Sequence, residues 1–265
     1  LIDIHSHVLH GLDDGPASLE QSLELARLAV REGISTIVAT PHHRKGSYCN
    51  PAQTVETAVS LFQEQLVRHQ IPLTICSGQE IHTHPQWLDD FYANQLLTLN
   101  GSSYILIEFP SSKLPDRVEE ILHELSIRNL TAVIAHPERN KEIAEQPDKL
   151  LRLVEYGALA QVTSHSITGY FGPRVRSVAL ELCRRNLVHF IASDAHDAVR
   201  RPFHLQRAYG IVTEKLGGDY VKYYQHNAES LLKDRSFEIW RPVPKVRKSL
   251  FFTQLPSFFR RNRSL

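Results

Sequence analysis

The sequence predicts an α/β fold in which seven parallel strands and their crossover helices close into a TIM-like barrel. Three observations carry that expectation. Apolar, β-branched runs alternate with stretches of helical spacing along the 265 residues. Each run ends in polar groups able to do chemistry. The chain is 42% hydrophobic, enough for a large core, and nothing resembles a domain linker before residue 240.

The runs are Ile2 to Ile4, Thr36 to Ala39, Leu73 to Cys76, Tyr104 to Ile107, Thr131 to Ala135, Leu159 to Val162 and Val188 to Ala192. Between them lie helical patterns such as Leu19, Leu23, Ala26 and Val30, or Val118, Ile121, Leu122 and Leu125. Gly33, Pro51, Pro72, Gly101 and Gly157 mark turns. Parallel strands need crossover connections, and these helices supply them. The polar residues at the C-terminal ends of the strands favour a barrel over an open sheet. In order these are His5 and His7, Thr40-Pro41-His42-His43, Gly78-Gln79-Glu80, Glu108, His136-Pro137-Glu138-Arg139, Thr163-Ser164-His165 and Ser193-Asp194-Ala195-His196. A closed barrel brings all the C-terminal strand ends to one face, whereas an open sheet splays the outermost apart.

Composition excludes several classes. No apolar run approaches the roughly 18 residues that cross a bilayer, and the first residues lack a basic and apolar leader pattern. The three cysteines, Cys49, Cys76 and Cys183, are odd in number and widely spaced, which suits a reducing compartment. A cytoplasmic location is therefore expected. Residues 1–240 hold 23 basic and 29 acidic side chains, whereas residues 241–265 hold seven basic and no acidic ones. The expected organisation is a barrel over 1–240 and a basic, aromatic tail over 241–265.

His5 and His7 flank Ser6 at a strand end, where alternate residues share a face and both imidazoles can reach one ion. Alone this pattern is a moderate signal. Glu80, Glu108 and Asp194, together with His42, His136 and His196, add a mixed nitrogen and oxygen set without thiolate, which suits Mn, Zn or Fe. So many donors exceed the needs of one ion and point to two or three, with a bridging carboxylate.

The ordered segments IDIHSH, LDDG, TPHH, GQEI, ILIEFP, IAHPERN and SDAH closely resemble the polymerase-and-histidinol-phosphatase (PHP) superfamily. Within it, the chain is similar to the bacterial manganese-dependent tyrosine-protein phosphatases of capsule and exopolysaccharide synthesis, over about residues 1–240. The resemblance implies a distorted (β/α)7 barrel with a trinuclear site. It further implies His5, His7, Glu80 and Asp194 around one ion, Glu80, Glu108 and His136 around a second, and Asp14, His42 and His196 around a third. The cofactor implied is Mn2+, with Zn2+ and Fe2+ suiting the same donors.

Neighbouring residues have simpler readings. Asp13 reads as a turn or helix-capping residue before Pro16. His43 reads as a rim residue, and His82 and His84 as a second His-x-His that the resembling family does not use. His165 reads either as a polar wall or as a substrate contact. His10, His69, His123, His189, His204 and His226 have no supporting context. Arg139, and Arg201 or its neighbour Arg200, can lean over the metals and hold phosphate oxygens through a planar guanidinium. No cysteine is followed six residues later by arginine, because positions 55, 82 and 189 are Val, His and His. Catalysis therefore falls to metal-bound hydroxide.

The expected activity is hydrolysis of phosphotyrosine, with Arg139 and Arg201 binding phosphate and His42 or His196 assisting the leaving group through water. The expected partner is a phosphotyrosine protein, a membrane-associated bacterial tyrosine kinase, at the inner face of the membrane. Two rivals fit the same residues: a phosphoesterase of a small metabolite such as histidinol phosphate, and a non-catalytic membrane-associated regulator. In the tail, Arg241, Lys245, Arg247, Lys248, Arg260, Arg261 and Arg263 interleave with Phe251, Phe252, Phe258 and Phe259, which suits an anionic membrane surface. Nucleic acid is not an expected partner, because the acidic body opposes it.

Overall fold

The computed structural model describes residues 1–244. The tail expectation therefore lies outside the described residues except at 241–244. The described residues form nine strands: β1 (Ile2–Ser6), β2 (Thr36–Ala39), β3 (His42–His43), β4 (Thr74–Ser77), β5 (Glu80–His82), β6 (Tyr104–Glu108), β7 (Thr131–Ala135), β8 (Leu159–Thr163) and β9 (Phe190–Ala192). All seven expected runs are strands, and the second and third each continue, after a break, into a further short strand. The breaks have local causes. Pro41, between β2 and β3, has no N–H to give a ladder. Gly78, between β4 and β5, lies so close to Val38 that a Cβ there would sit 2.8 Å from Val38 Cγ1. Both breaks fall just before a candidate ligand, His42 or Glu80.

Every strand pairing is parallel, in two sheets ordered β1-β2-β4 and β3-β5-β6-β7-β8-β9. Because β3 continues β2 and β5 continues β4, the second sheet takes up where the first leaves off. At the other edge the chain ends of β1 and β9 meet. Ser6 pairs with Ala195, His7 N donates to Ala195 O (2.8 Å) and Asp194 N donates to His5 O (2.9 Å). The interior fits this circular arrangement. Ile4, Val38, Tyr104, Leu106, Val133, Ala135, Leu159, Phe190 and Ala192 form one buried cluster, with Cys76 packed against it. Leu99, from the short turn Leu99–Gly101, and Ala228 and Leu231, from the helix Gly218–Leu232, belong to the same cluster. A larger apolar layer lies between the helices and the outer strand faces, including Leu23, Ala26, Val118, Leu122 and Leu125.

The register of β1 on β2 shifts by one residue between Asp3 and Ser6. An extra residue of this kind re-aims side chains. Ile4 joins the interior cluster, while the neighbouring His5 reaches Gln161 on β8 (2.9 Å). Among the described residues, no helix is long and apolar enough to cross a membrane. The chain leaves the last helix along the body, with the Trp240 ring stacked on Tyr223 and Val243 N donating to Arg185 O (2.8 Å).

Candidate metal centre

The strand ends gather three overlapping groups of donor atoms, each group within 4.8 Å: His5, His7, Glu80 and Asp194; His42, Glu80 and Glu108; and His7, Asp14, His42 and His196. In the first, His5 Nε2 and His7 Nε2 face each other at 3.3 Å. Both lie 3.3–3.5 Å from Glu80 Oε2 and Asp194 Oδ1. Each imidazole is held from behind, His5 by Gln161 and His7 by Asp13 Oδ2 (2.6 Å) through Nδ1. That leaves Nε2 of both rings directed at the centre.

In the second group His42 Nδ1 approaches Glu80 Oε2 (2.8 Å) and Glu108 Oε2 (3.9 Å). His136 Nε2 contacts the other Glu80 oxygen (2.7 Å) and Glu108 Oε1 (3.8 Å). In the third, Asp14 Oδ1 lies 3.5 Å from His42 Nε2 and 3.3 Å from His196 Nε2. All nine expected ligand positions are thus brought together. The grouping differs from expectation: His136 meets Glu80 and Glu108 from outside the three groups, while His7 and His42 each belong to two, because each presents a ring between neighbouring carboxylates. His136 (φ 34°) and Asp194 (φ 55°) hold left-handed backbone that non-glycine residues adopt at a cost, a feature that clusters at functional sites.

The donors fit cations. His42 Nδ1 and Glu80 Oε2 lie 2.8 Å apart and His196 Nε2 lies 3.3 Å from Asp14 Oδ1, yet none of these three buried atoms makes a hydrogen bond of good geometry. Buried polar atoms left in this way call for another occupant. Burial opposes ionisation of Glu80, but the imidazoles of His5 and His42 outweigh it and hold the carboxyl well below its ordinary range. Burial likewise opposes ionisation of Asp194, and His5 and Arg201 hold it low. The site is a set of ionised carboxylates and imidazoles, buried except at Asp14, with the donor chemistry of Mn, Zn or Fe.

Two guanidiniums close on the same carboxylate. Arg139 Nη1 and Arg201 Nη2 each donate to Asp194 Oδ2 at 2.6 Å. Of the neighbouring pair Arg200 and Arg201, it is the Arg201 guanidinium that reaches Asp194. The Phe171 ring lies 5.1 Å from the Arg139 guanidinium carbon.

Residues 1–233 match the family described as capsular polysaccharide synthesis, CpsB/CapC. The chain belongs to the CpsB/CapC family. The tyrosine-protein phosphatase YwqE of Bacillus subtilis (strain 168) is 42% identical to it over 251 residues, covering 95% of this chain and 99% of that protein. The putative tyrosine-protein phosphatase CapC of Staphylococcus aureus is 37% identical over 252 residues, with the same coverage. A solved structure superposes with a TM-score of 0.90 at 42% identity, covering 93% of this chain and all of the other. It is described as one of YwqE from Bacillus subtilis and CpsB from Streptococcus pneumoniae, "unique metal-dependent tyrosine phosphatases".

Around the centre of this CpsB/CapC protein several residues differ from expectation. Asp13 does more than turn the chain. One oxygen accepts from Gly15 N, as a turn residue would, while the other accepts from His42 N (2.9 Å) and bonds His7. His43 is not a rim residue but fully buried, bonded to Asn50 O (3.0 Å) and Asp90 (3.2 Å), because successive residues of a strand point to opposite faces and His42 takes the inner one. His82 sits beside Glu108 (3.2 Å), and His84 beside Asp90 (3.4 Å). His165 is a buried wall residue, its pKa pushed down to about 4 by burial. All three cysteines are free, and burial pushes the Cys183 thiol up to about 12. Sequence reasoning missed Lys45, whose Nζ lies 2.6 Å from Glu108 Oε1 and 3.2 Å from His42 Nε2. Its only sequence signal is its position three residues after His42. Gln161 and Asp90, which act through partners far along the chain, gave none.

Proposed function

We propose that this chain is a metal-dependent protein-tyrosine phosphatase. The observation that carries the reading is the sharing of Glu80 between two donor groups, beside two guanidiniums on the buried carboxylate Asp194. The full-length similarity to proteins named tyrosine-protein phosphatases supports the choice of substrate.

In this reading His5, His7, Asp14, His42, Glu80, Glu108, His136, Asp194 and His196 hold two or three divalent ions, Mn2+ in the first place, with Zn2+ and Fe2+ suiting the same mixed imidazole and carboxylate donors. Bound ions would supply the Lewis acidity that lowers the pKa of an attacking water and offsets negative charge on the phosphoryl group. The protein's own part is placement. Gln161 and Asp13 fix the tautomers of His5 and His7. Arg139 and Arg201 receive the phosphoryl oxygens, and donors held in place beforehand stabilise the charge that develops during transfer. Asp14, with a side chain 45% exposed, marks the open side of the site, where His42 and His196 flank it and a departing oxygen can take its proton from water. Tyrosinate, with a pKa of about 10, needs less protonation than an alkoxide. Three free cysteines, none in a Cys-x5-Arg arrangement, support a metal rather than a thiolate route and a cytoplasmic setting.

The substrate in this reading is a membrane-associated tyrosine kinase of capsule or exopolysaccharide synthesis, and the basic, aromatic stretch from 241 to 265 is the candidate membrane contact. Hydrolysis of a phosphotyrosyl peptide, phosphoserine and histidinol phosphate, before and after EDTA treatment and Mn2+ addition, tests the proposal. The expected result is Mn-dependent turnover favouring phosphotyrosine. Undiminished turnover in a verified metal-free preparation, or a preference for histidinol phosphate, would overturn it.

A further inference from the structure

We propose that the turn from Arg44 to Tyr48 is the substrate-engaging element of this site, with Lys45 binding the phosphate and Tyr48 the aromatic ring. The proposal rests on the phosphatase reading and extends it to residues outside the donor set.

The turn is built to present these two side chains. Tyr48 N donates to Lys45 O (2.9 Å), and the two residues pair across an antiparallel bridge. Arg44 (φ 61°) and Gly46 (φ 58°) give the left-handed backbone that folds the chain so tightly. Both ends are pinned. Arg44 Nε and Nη2 donate to the two oxygens of Asp90 at 2.7 Å each, and Asn50 Nδ2 donates to His42 O (2.8 Å) and Leu12 O (2.9 Å). From this base Lys45 reaches the donor groups, while the half-buried Tyr48 ring lies nearly parallel to the His42 ring (16°) with centroids 6.2 Å apart.

Charge decides what Lys45 does. Lys45, Arg139 and Arg201 each bond a carboxylate of the donor groups, Lys45 on Glu108 and the arginines on Asp194. A cation taken up by those carboxylates competes for the same oxygens. An ammonium left beside metal ions is repelled unless an anion joins it. Its flexible four-carbon stem, 35% exposed, lets it turn to the open side, where a phosphate oxygen is the complementary partner. Lys45 and the arginines bond different carboxylates, so together they grip the anion from separate directions. Tyr48, carried on the same turn, then offers an aromatic face to a phenyl ester and nothing equivalent to an alkyl one.

The test uses the full chain loaded with Mn2+. Lys45→Met should keep its metal content, bind inorganic phosphate ~10-fold more weakly by calorimetry, and lose ~100-fold in kcat/KM on all phosphomonoesters, with Lys45→Arg recovering part of both. Tyr48→Ala should leave phosphate binding unchanged but narrow the preference for phosphotyrosine over phosphoserine by about five-fold, and Tyr48→Phe should retain it. A Lys45→Met protein that loses its metal, or that binds phosphate as tightly as the parent, overturns the assignment of Lys45. Unchanged selectivity in Tyr48→Ala overturns that of Tyr48. If the parent binds phosphate but hydrolyses no phosphotyrosine, the phosphatase reading fails, while the phosphate titration still decides the role of Lys45.

Discussion

The two ends of the interior enclosed by the parallel sheets are made from the same strands and different materials. The lower part holds an apolar cluster, with Ile4, Val38, Leu106, Val133, Leu159 and Phe190 packed together. The upper part, reached within a few residues along the same strands, holds His5, His42, Glu80, Glu108, His136 and Asp194, all buried. The lower part gains free energy from burial itself, at about 25 cal/mol per Å2 of apolar surface. In the upper part burial costs free energy, which only mutual pairing or bound cations offset. Stability and chemistry are therefore separable, and substitutions should separate them.

The largest expected effect is at Glu80. Glu80→Gln keeps the volume and removes the charge that serves two donor groups, so the protein should lose metal and with it all but background turnover while remaining folded. Metal analysis and a thermal melt on the same sample check both halves. A protein that keeps its metal and activity would show that Glu80 bridges nothing.

At Arg139 the loss should be smaller and of another kind. Arg139→Ala keeps the donors and should keep the metals, but loses ~10²–10³ in kcat through weaker stabilisation of charge in the transition state. Loss of metal from this variant would place Arg139 among the groups that build the centre rather than those that bind substrate.

The lower part gives the opposite signature. Phe190 is fully buried in the interior cluster, and its ring meets Phe237 edge-on at 5.6 Å. Phe190→Ala should cost about 3–5 kcal/mol of stability in denaturant unfolding, through lost burial and the cavity left behind. Its kcat at low temperature and its metal content should stay near those of the parent. A fall in kcat with stability intact would show that the two parts are coupled.

The same contrast explains what could be read from sequence. Seven strands and eight donors were legible because each of these donors lies within a few residues of an apolar run, so local order carries it to the C-terminal strand ends; Asp14, ten residues past the first run, followed only from the family resemblance. The closure of the bottom by Leu99, Ala228 and Leu231 was not legible, since it joins the middle of the chain to its last helix. Nor were the breaks at Pro41 and Gly78, which in isolation read as ordinary strand ends. His43 and His42 are adjacent and chemically alike, and only the pleat sends one to Asp90 and the other to Glu80. Lys45 lies in a turn without periodicity, and its partner Glu108 is 63 residues away.

Asp13 gives the finest test, because it looks like part of one system and works in the other. Read locally it is a turn residue, and its bond from Gly15 N (3.0 Å) fits that role. Its second oxygen is bonded to His7 Nδ1 at 2.6 Å and accepts from the His42 backbone N–H at 2.9 Å, so one buried carboxylate orients the His7 imidazole and anchors the strand that carries His42. A carboxylate behind an imidazole fixes the tautomer that leaves Nε2 free to bind and makes that nitrogen more basic. Asp13→Asn keeps an acceptor for the backbone donors but removes the charge. It should therefore bind Mn2+ about 10–100-fold more weakly, measured against a competing chelator, with only a small change in Tm. If Tm falls and metal affinity does not, Asp13 is a turn residue alone, and the orientation of His7 must come from the strand that carries it.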